Sequence, residues 1–204
     1  MRVGEIMTRS VVTTAPAISV KDAAVVLAAH GVTLLPVLDE TDRVVGVLTE
    51  ADVVRRRIPL DPRRGAWPGS AAQAPPPVTV GEVMSTCPLT VSPEADVAEL
   101  AATMTDRGVR SVPVVEEDRL VGIITRRDLV RTIARDDALI AADVRKHLEC
   151  YGAPDRWTVH VKQGSVTITD QHPDPAEHHV ALVLAQAVPG VVHAEVTQST
   201  SQPA

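Results

Sequence analysis

The sequence has almost no aromatic side chains, because its 204 residues include two tryptophans, one tyrosine and no phenylalanine. Single-stranded nucleic acids are usually bound by stacking their bases on aromatic rings, so that binding mode is not expected. The formal net charge of -6 also argues against binding along a phosphate backbone. We therefore expect no nucleic-acid partner.

Cysteines and long apolar runs are also scarce. Cys87 and Cys150 lie far apart and fit no metal-ligand spacing, which favours inert thiols in a reducing compartment. No apolar run approaches the roughly eighteen residues of a membrane span, and the N-terminus lacks the apolar stretch of a signal peptide. These absences predict a soluble, cytoplasmic protein without a metal site.

The motifs of common enzymes are missing as well. The sequence has no Walker-type phosphate loop, no glycine fingerprint for dinucleotides, no His-Glu-x-x-His and no Gly-x-Ser-x-Gly. We therefore expect a protein that is not an enzyme and that requires no cofactor.

The first two thirds of the chain contain an internal repeat. Three segments recur in the same order, offset by 77 residues and then, after one residue is lost in a turn, by 76. The matching segments are VGEIM (3–7) with VGEVM (80–84), LPV (35–37) with VPV (112–114), and GVLTEAD (46–52) with GIITRRD (122–128). Such ordered recurrence indicates two copies of one structural unit.

Each copy predicts the order strand, helix, strand, strand, helix. Ser19 and Asp96 are good N-caps for the first helix of each copy, and apolar residues then recur at helical spacing. Gly31 and Gly108 are expected to end these helices in a left-handed conformation. A hairpin follows, and in the first copy the second helix begins at Thr49.

Residues 59–79 separate the two copies. They contain six prolines and little periodicity, which predicts a semi-extended linker.

The repeated residues resemble the CBS-domain family in its tandem arrangement, the Bateman module. The resemblance is carried by the two Val-Gly-Glu segments, the two x-Pro-Val turns and the two copies of Gly-x-x-Thr-x-x-Asp. It implies an α+β protein with repeats at 1–58 and 80–135, paired pseudo-symmetrically around two clefts that bind adenosine compounds. It also implies a homodimer and a regulatory function.

The Thr-x-x-Asp segments, Thr49–Asp52 and Thr125–Asp128, have two interpretations. As a capping box each starts a helix, although the preferred acid is Glu or Gln, whose longer side chain reaches back to the N-cap amide. The shorter aspartate leaves its carboxylate freer, and a carboxylate accepts hydrogen bonds well from two adjacent ribose hydroxyls. The helix N-terminus also favours phosphate. The sequence therefore leaves two alternatives: a segment that only caps the helix, and one that caps the helix and also binds a nucleotide.

The resemblance implies positions for the binding residues. Asp52 and Asp128 would bind ribose with Thr49 and Thr125 nearby. Backbone of the first-strand segments would line the adenine pockets, and these segments are Val12, Thr13 and Thr14 in the first copy and Leu89, Thr90 and Val91 in the second.

Arg110 distinguishes the two copies. It matches a family position that often binds phosphate, whereas the first copy has Thr33 at that place. We therefore predict that Arg110 and Asp128 share the better nucleotide cleft. The alternative for Arg110 is a solvated surface arginine.

Residues 136–198 have a different pattern, which predicts a small α-β-β-α-β domain. A helix starts at Asp136 or Asp137, with Leu139, Ile140, Val144 and Leu148 on one face, and ends at Gly152 and Pro154. A hairpin turning at Gln163-Gly164 follows. A second helix starts at Asp174-Pro175 and continues through Val180 and Leu184, and a last strand follows Gly190. Residues 199–204 are predicted to be a flexible tail.

This segment resembles a BON domain through Gly164–Ile168 (GSVTI) and Val188–Val191 (VPGV). Asp170 departs from the family, which often has a glycine there. The resemblance implies contact with phospholipid or other ligands, but from residue 136 onward nine acids face four lysines and arginines, which does not favour anionic lipid. A protein partner is the other interpretation.

Six of the seven histidines fall in this segment, which raises the hypothesis of a metal or pH-sensing cluster. They are His147, His160, His172, His178, His179 and His193. No metal-ligand spacing connects them, so we expect surface histidines.

Two functions follow from the sequence. The first is a sensor whose CBS pair binds AMP, ADP, ATP, S-adenosylmethionine or NADH and whose BON-like domain relays or localises the response. The second is a ligand-free dimerisation scaffold that presents BON-like domains to a protein or a phospholipid surface.

Overall fold

The structure is a computed structural model that describes residues 1–55, 57–58, 75–151, 156–170 and 174–198. In chain order, its elements are α1 (Val3–Ile6), α2 (Val20–His30), β1 (Leu34–Leu38), β2 (Val44–Thr49), α3 (Glu50–Val54), a 3₁₀ turn (Val80–Glu82), β3 (Ser85–Thr86), α4 (Val97–Asp106), β4 (Ser111–Glu116), β5 (Arg119–Thr125), α5 (Arg126–Ile133), α6 (Asp137–Glu149), β6 (Trp157–Lys162), β7 (Ser165–Asp170), α7 (Pro175–Gln186) and β8 (His193–Gln198).

The described residues form two compact units. The first gathers the described parts of Met1–Met7, Glu94–Gly108 and Thr125–Ala204. The second gathers those of Thr8–Pro93 and Val109–Ile124. The first unit therefore contains α1, α4, α5 and the C-terminal elements, and the second contains most of the strands of the repeats.

The predicted helix caps of the repeats are confirmed. Ser19 Oγ accepts a hydrogen bond from Asp22 N at 3.0 Å, and Asp96 Oδ1 accepts from Ala98 N at 2.7 Å. Gly31 ends α2 with a φ of 60°, and Gly108 follows α4 with a φ of 67°. These positive φ angles explain the glycines, because other residues rarely adopt that conformation.

The predicted hairpins also form, but the predicted first strands are much shorter than expected. β1 and β2 pair antiparallel with β3 beside them, and β4 pairs with β5. Thr14 makes a single parallel bridge to Val37, and Val91 makes the equivalent bridge to Val114. Each first-strand segment is thus one bridge instead of a strand, since only one residue of each segment has ladder partners.

Each Val-Gly-Glu segment is bonded to the other copy of the repeat. Val3 N donates to Ala95 O at 3.0 Å in the first unit, and Val80 N donates to Ile18 O at 2.9 Å in the second. The two bonds are equivalent, because donor and acceptor are each shifted by the 77 residues that separate the copies. Val78 O also accepts from Val20 N at 2.9 Å, so the end of the predicted linker is bonded to the first copy. Neither copy therefore completes its backbone hydrogen bonds alone.

Residues 137–198 of the first unit form helices α6 and α7 and a three-stranded sheet, as the sequence predicts. The strand order is β6-β7-β8, with β6 antiparallel and β8 parallel to β7. The buried core is built mainly from aliphatic residues of both helices and all three strands, with Trp157 as its aromatic member. The tail domain, as we name these residues, thus has its own core.

One detail of the predicted α6 face is wrong. Leu139 is 60% exposed because the adjacent Ile140, about 100° around the helix, is the residue directed into the core. The second helix continues through Val180 and Leu184 as predicted; both are half-buried, while Ala181 and Ala185 are buried. The predicted end of α6 at Gly152 and Pro154, and most of the linker, lie outside the described residues.

Among the described residues, no helix is both long and apolar enough to cross a membrane.

Candidate functional site

The two Thr-x-x-Asp segments form nearly identical capping boxes. Asp52 Oδ2 accepts from Thr49 N at 2.9 Å and from Thr49 Oγ1 at 2.6 Å. Asp128 Oδ2 accepts from Thr125 N at 2.8 Å and from Thr125 Oγ1 at 2.7 Å. Each threonine Oγ1 in turn accepts from the aspartate backbone N–H. The helix-start interpretation is therefore confirmed in both copies.

The shorter aspartate was expected to leave its carboxylate freer than Glu or Gln would, yet it reaches back to the N-cap amide with one oxygen. In both boxes the carboxylate makes that bond, and the threonine hydroxyl donates to the same oxygen. Only Oδ2 is used, however, so Oδ1 of each aspartate remains outside the box. Whether a box has a second function depends on what surrounds Oδ1.

In the second copy, a neighbouring cation lies close to this oxygen. The Asp128 side chain is only 9% exposed, and Oδ1 lies 3.6 Å from Nη1 of Arg131, one helical turn further along α5. Oδ1 of Asp128 therefore already has an ion-pair partner, which a ligand would have to share or displace.

In the first copy, Asp52 is half-buried and lines an open cavity of about 250 Å³. Arg55, Pro77, Glu82 and Val83 complete the lining. Within the described parts of the chain, Asp52 Oδ1 has no hydrogen-bond or ion-pair partner. Asp52 thus lines a cavity and has one carboxylate oxygen without a partner among the described residues.

Glu82 is the other acid of this cavity, but its carboxylate is engaged. Its Oε2 accepts from Thr79 N at 2.7 Å, from Thr79 Oγ1 at 2.9 Å and from Val78 N at 2.9 Å. These bonds, chiefly those from Thr79, lower the pKa of Glu82 below its ordinary value. Glu82 therefore fixes the 3₁₀ turn that forms one wall of the cavity.

A second cavity, of about 320 Å³, lies beside Thr49. It is lined by Thr33, Leu34, Thr49, Glu50, Ala51, Val109, Arg110 and Ser111. Arg110 thus lies at the box of the first copy. Aligning the copies could not reveal this, because an alignment equates Arg110 with Thr33 without showing what either contacts. The prediction that Arg110 and Asp128 share a cleft stays a prediction, since the two residues belong to different units.

The segments expected to line adenine pockets are only partly available. Thr14 and Val91 use their backbone N–H and C=O groups in the bridges to β1 and β4. Val12, Thr13, Leu89 and Thr90 make no backbone–backbone hydrogen bond within the described residues. Their backbones remain available to a ligand.

Two of these residues have other described surroundings. Val12 packs partly against the core of the first copy. Thr90 lines a third cavity, of about 430 Å³, together with Asp39, Arg43 and Cys87.

The tail domain contains a buried charged cluster that sequence analysis missed. Asp170 is 1% exposed and accepts from Arg156 Nε at 3.1 Å and Nη2 at 2.8 Å, while His178 Nε2 lies 3.1 Å from its Oδ2. Glu177 also pairs with Arg156, and the hydrogen bonds that Arg156 donates to Asp170 and Glu177 raise its pKa. The only sequence signal was Asp170 itself, at a place where the resembled family has glycine.

The surface interpretation of the histidines is wrong for His178, whose side chain is 19% exposed and bonded to Asp170. The other histidines of the tail domain that the structure describes are exposed, and His172 lies outside the described residues. No group of three or more potential metal ligands occurs in the described parts of the chain.

The CBS domain family matches residues 3–58 and 80–135, which are the two copies whose caps, hairpins and exchanged segments are described above. The chain belongs to the CBS-domain family. CBS domains are typically regulatory modules.

Two curated relatives show how far the similarity extends. The uncharacterized protein MK0525 of Methanopyrus kandleri is 28% identical over 148 residues, which are 72% of this chain and 70% of that protein. Hypoxic response protein 1 of Mycobacterium tuberculosis is 32% identical over 102 residues, 50% of this chain. The match spans 64% of that protein, slightly less than two thirds of its length.

Two similar solved structures contain adenosine compounds. The CBS domain pair of protein MJ0100, in complex with 5′-methylthioadenosine and S-adenosyl-L-methionine, has a TM-score of 0.54 and 26% identity, and the match covers 66% of this chain and 96% of that one. CBSX2 in complex with AMP has a TM-score of 0.52 and 26% identity, with coverage of 65% and 96%. Adenosine ligands are therefore bound by CBS pairs of this fold.

Proposed function

We propose that this protein is a regulatory sensor that binds an adenosine-containing ligand, with the first copy of the box as the stronger site. The observation that carries the proposal is Asp52, a residue that lines a cavity and whose Oδ2 builds the helix cap while its Oδ1 has no described partner. Support also comes from the adenosine compounds in the CBS pairs of MJ0100 and CBSX2.

Each part of the ligand has a candidate partner. Asp52 accepts hydrogen bonds from the ribose hydroxyls, since a carboxylate oxygen with free lone pairs suits adjacent donors. Free backbone groups of Val12 and Thr13 face the adenine edge, and Arg110 beside Thr49 pairs with phosphate.

Charge balance in the cavity beside Thr49 favours small ligand charges. Arg110 brings one positive charge and Glu50 one negative charge to its lining. A triphosphate would place several negative charges near Glu50, so AMP and S-adenosylmethionine rank above ADP and ATP.

The second box is the weaker site in this proposal. Any ribose at Asp128 competes with Arg131 for Oδ1, and the buried carboxylate is less accessible. This ranking reverses the one drawn from sequence, because Arg110 has a described place at Thr49 and the Asp128 side chain does not need a ligand to be stabilised.

The tail domain is proposed to be BON-like and to relay the response, with the CBS pair forming a homodimer. The α6-β6-β7-α7-β8 order supports the BON resemblance, as does the close packing of its two characteristic glycines: a Cβ on Gly164 would lie 2.7 Å from Gly190 O. Exposed Val130 and Ile133 on α5, 62% and 72% exposed, support association of CBS helices.

The test is a calorimetric and thermal-shift titration with AMP, ADP, ATP, S-adenosylmethionine and NADH, with GMP as a base control. At about 100 times its Kd, a true ligand stabilises the fold by roughly 2.7 kcal/mol, which raises Tm. The double variant Asp52→Asn/Asp128→Asn should abolish the shift. Absence of binding by all five adenosine compounds contradicts the proposal.

A further inference from the structure

The C-terminal end of α5 is joined to the tail domain by direct hydrogen bonds within the first unit. Arg135 Nη1 donates to Pro189 O at 2.5 Å, and Arg135 Nη2 bonds to Asp143 Oδ2 of α6 at 2.5 Å. One side chain therefore ties the residues after α5 both to α6 and to the loop before β8.

Gly190 makes the same junction close-packed. Its φ is 96°, and a Cβ there would lie 2.8 Å from Ile140 Cδ1 and 3.1 Å from Thr132 O. Ile140 is 1% exposed and belongs to the core of the tail domain, while Thr132 is a buried residue of α5. We call Thr132, Arg135, Ile140, Pro189 and Gly190 the α5–tail junction.

The opposite end of α5 is the second capping box. Asp128 and Thr132 lie one turn apart on the same buried face, and Thr132 Oγ1 donates to Asp128 O at 3.0 Å. Arg126 Nη2 also donates to Met104 O at 2.8 Å, which anchors the start of α5 to α4. The helix has eight residues and is about 12 Å long, so about 6 Å of helix rise separates Asp128 of the box from Thr132 of the junction.

We propose that α5 couples the second Thr-x-x-Asp box to the tail domain, so that a change at Asp128 alters the α5–tail junction and a change at the junction alters the box. A short helix held at both ends transmits a displacement at one end to the other because its close-packed contacts cannot absorb it. The use of this coupling in ligand sensing rests on the proposed function. The coupling itself is tested without a ligand.

The test is hydrogen exchange by mass spectrometry on the full chain. Val191 N donates to Val188 O and Val192 N donates to Gly164 O, at 3.2 and 2.9 Å, so these two amides report on the loop at the junction. Asp128→Ala removes the box, and the expected result is a two- to thirtyfold faster exchange of the two amides, roughly the size of coupling carried by such networks.

Two comparisons separate coupling from general destabilisation. The amides of β7, in the sheet core, should change less than those at the junction. Asp52→Ala removes the same box from α3, in the other unit, and should leave the reporter amides unchanged. Thr125→Val, which removes only one hydroxyl, replaces Asp128→Ala if that variant folds poorly.

Arg135→Met keeps an unbranched apolar stem but removes the guanidinium and its hydrogen bonds, and it should abolish the response of the reporter amides to Asp128→Ala. An exchange change confined to the first turn of α5, or an undiminished response in Arg135→Met, overturns the coupling. These outcomes are independent of ligand binding.

The ligand arm then uses AMP. Binding of AMP should protect the reporter amides from exchange, and Arg135→Met should change the affinity of the protein for AMP about fivefold or more. Both results together would show the reciprocal effect that coupling requires, with the tail domain responding to ligand at the second box. If neither AMP nor the other four adenosine compounds bind, the proposed function fails, while the ligand-free exchange still decides the coupling.

Discussion

Thr49–Asp52 and Thr125–Asp128 begin helices with the same hydrogen bonds, but their surroundings differ. Asp128 is buried, lies 3.6 Å from Arg131 and starts a helix of eight residues that leads to the α5–tail junction. Asp52 is half-buried, borders an open cavity and starts a helix of five residues. The repeated local sequence is enough to build the cap, whereas distant residues decide whether the second carboxylate oxygen is available.

This difference suggests that the two copies have different functions. A ligand at Asp128 must share the oxygen that Arg131 already approaches, whereas Oδ1 of Asp52 has no described partner, so we expect the first copy to be better suited to bind. The second copy has the longer helix and the direct bonds to the tail domain, so it is better suited to transmit. The predictions below test each of these two functions.

The largest effect is expected at Asp52 in ligand binding. Asparagine keeps one acceptor oxygen for Thr49 and so preserves the cap, but it replaces the charged oxygen proposed to bind ribose. Loss of a charge-assisted hydrogen bond corresponds to about a tenfold to hundredfold weaker binding. We expect this loss for AMP with Asp52→Asn in titration calorimetry.

Asp128→Asn is the matched control, and its effect on the same AMP affinity should be less than about threefold, a fraction of one hydrogen bond. Equal losses in the two variants would remove the proposed difference between the copies.

The order of effects reverses for stability. Asp128→Ala leaves Thr125 N–H and Oγ1 without their partner in a buried place and frees Arg131, so the expected cost is about 2 kcal/mol of unfolding free energy. Asp52→Ala removes the same bonds from a more exposed place, for about 1 kcal/mol. Denaturant unfolding measures both, and a larger cost for Asp52→Ala would contradict the comparison.

Much of the local structure follows from short-range patterns. The caps at Ser19 and Asp96, the left-handed glycines and the hairpins depend on residues within a few positions, and all are found in the structure. The order of elements in the tail domain also follows from alternation and turn residues. The repeat itself identified the family that the comparison with CBS domains shows.

What the sequence did not reveal depends on long-range partners. The exchange of Val3 and Val80 between copies leaves no local signature, because the two segments look alike whichever copy they contact. The alignment of the copies matches Arg110 to Thr33 but does not show that Arg110 lines the cavity beside Thr49. The ion pair between Arg156 and Asp170 forms only when the sheet of the tail domain brings the two residues together. The candidate site was therefore predictable as a motif, whereas the surroundings of each copy were not.

Arg110 offers an intermediate test of the comparison. Arg110→Thr gives the second copy the residue that the first copy has at Thr33, and it removes the positive charge from the cavity beside Thr49. Because an exposed ion pair contributes roughly 0.2–1 kcal/mol, AMP affinity should fall about two- to fivefold. Adenosine, which lacks phosphate, should bind the variant and the parent equally, and an equal loss for both ligands would assign Arg110 a structural effect instead.

The smallest effect is expected at Glu82, the engaged acid of the Asp52 cavity. Its pKa is lowered chiefly by hydrogen bonds from Thr79, so its contribution to stability is present above its unfolded pKa and is lost as pH falls through the lower folded pKa. The stability difference between the parent and Glu82→Gln should therefore be constant near neutral pH and shrink below about pH 4.3, the usual pKa of an unfolded Glu. Urea unfolding at several pH values measures it.

Glu5→Gln is the matched change in the other Val-Gly-Glu segment, where the carboxylate accepts one described backbone bond, from Arg2 N at 3.0 Å. Glu82 accepts two backbone bonds and one from a hydroxyl, so its replacement should cost more at neutral pH. If Glu5→Gln costs as much, the wall of the Asp52 cavity is held no more firmly than the equivalent segment. The structural advantage assigned to the first copy would then rest on Asp52 and Arg110 alone.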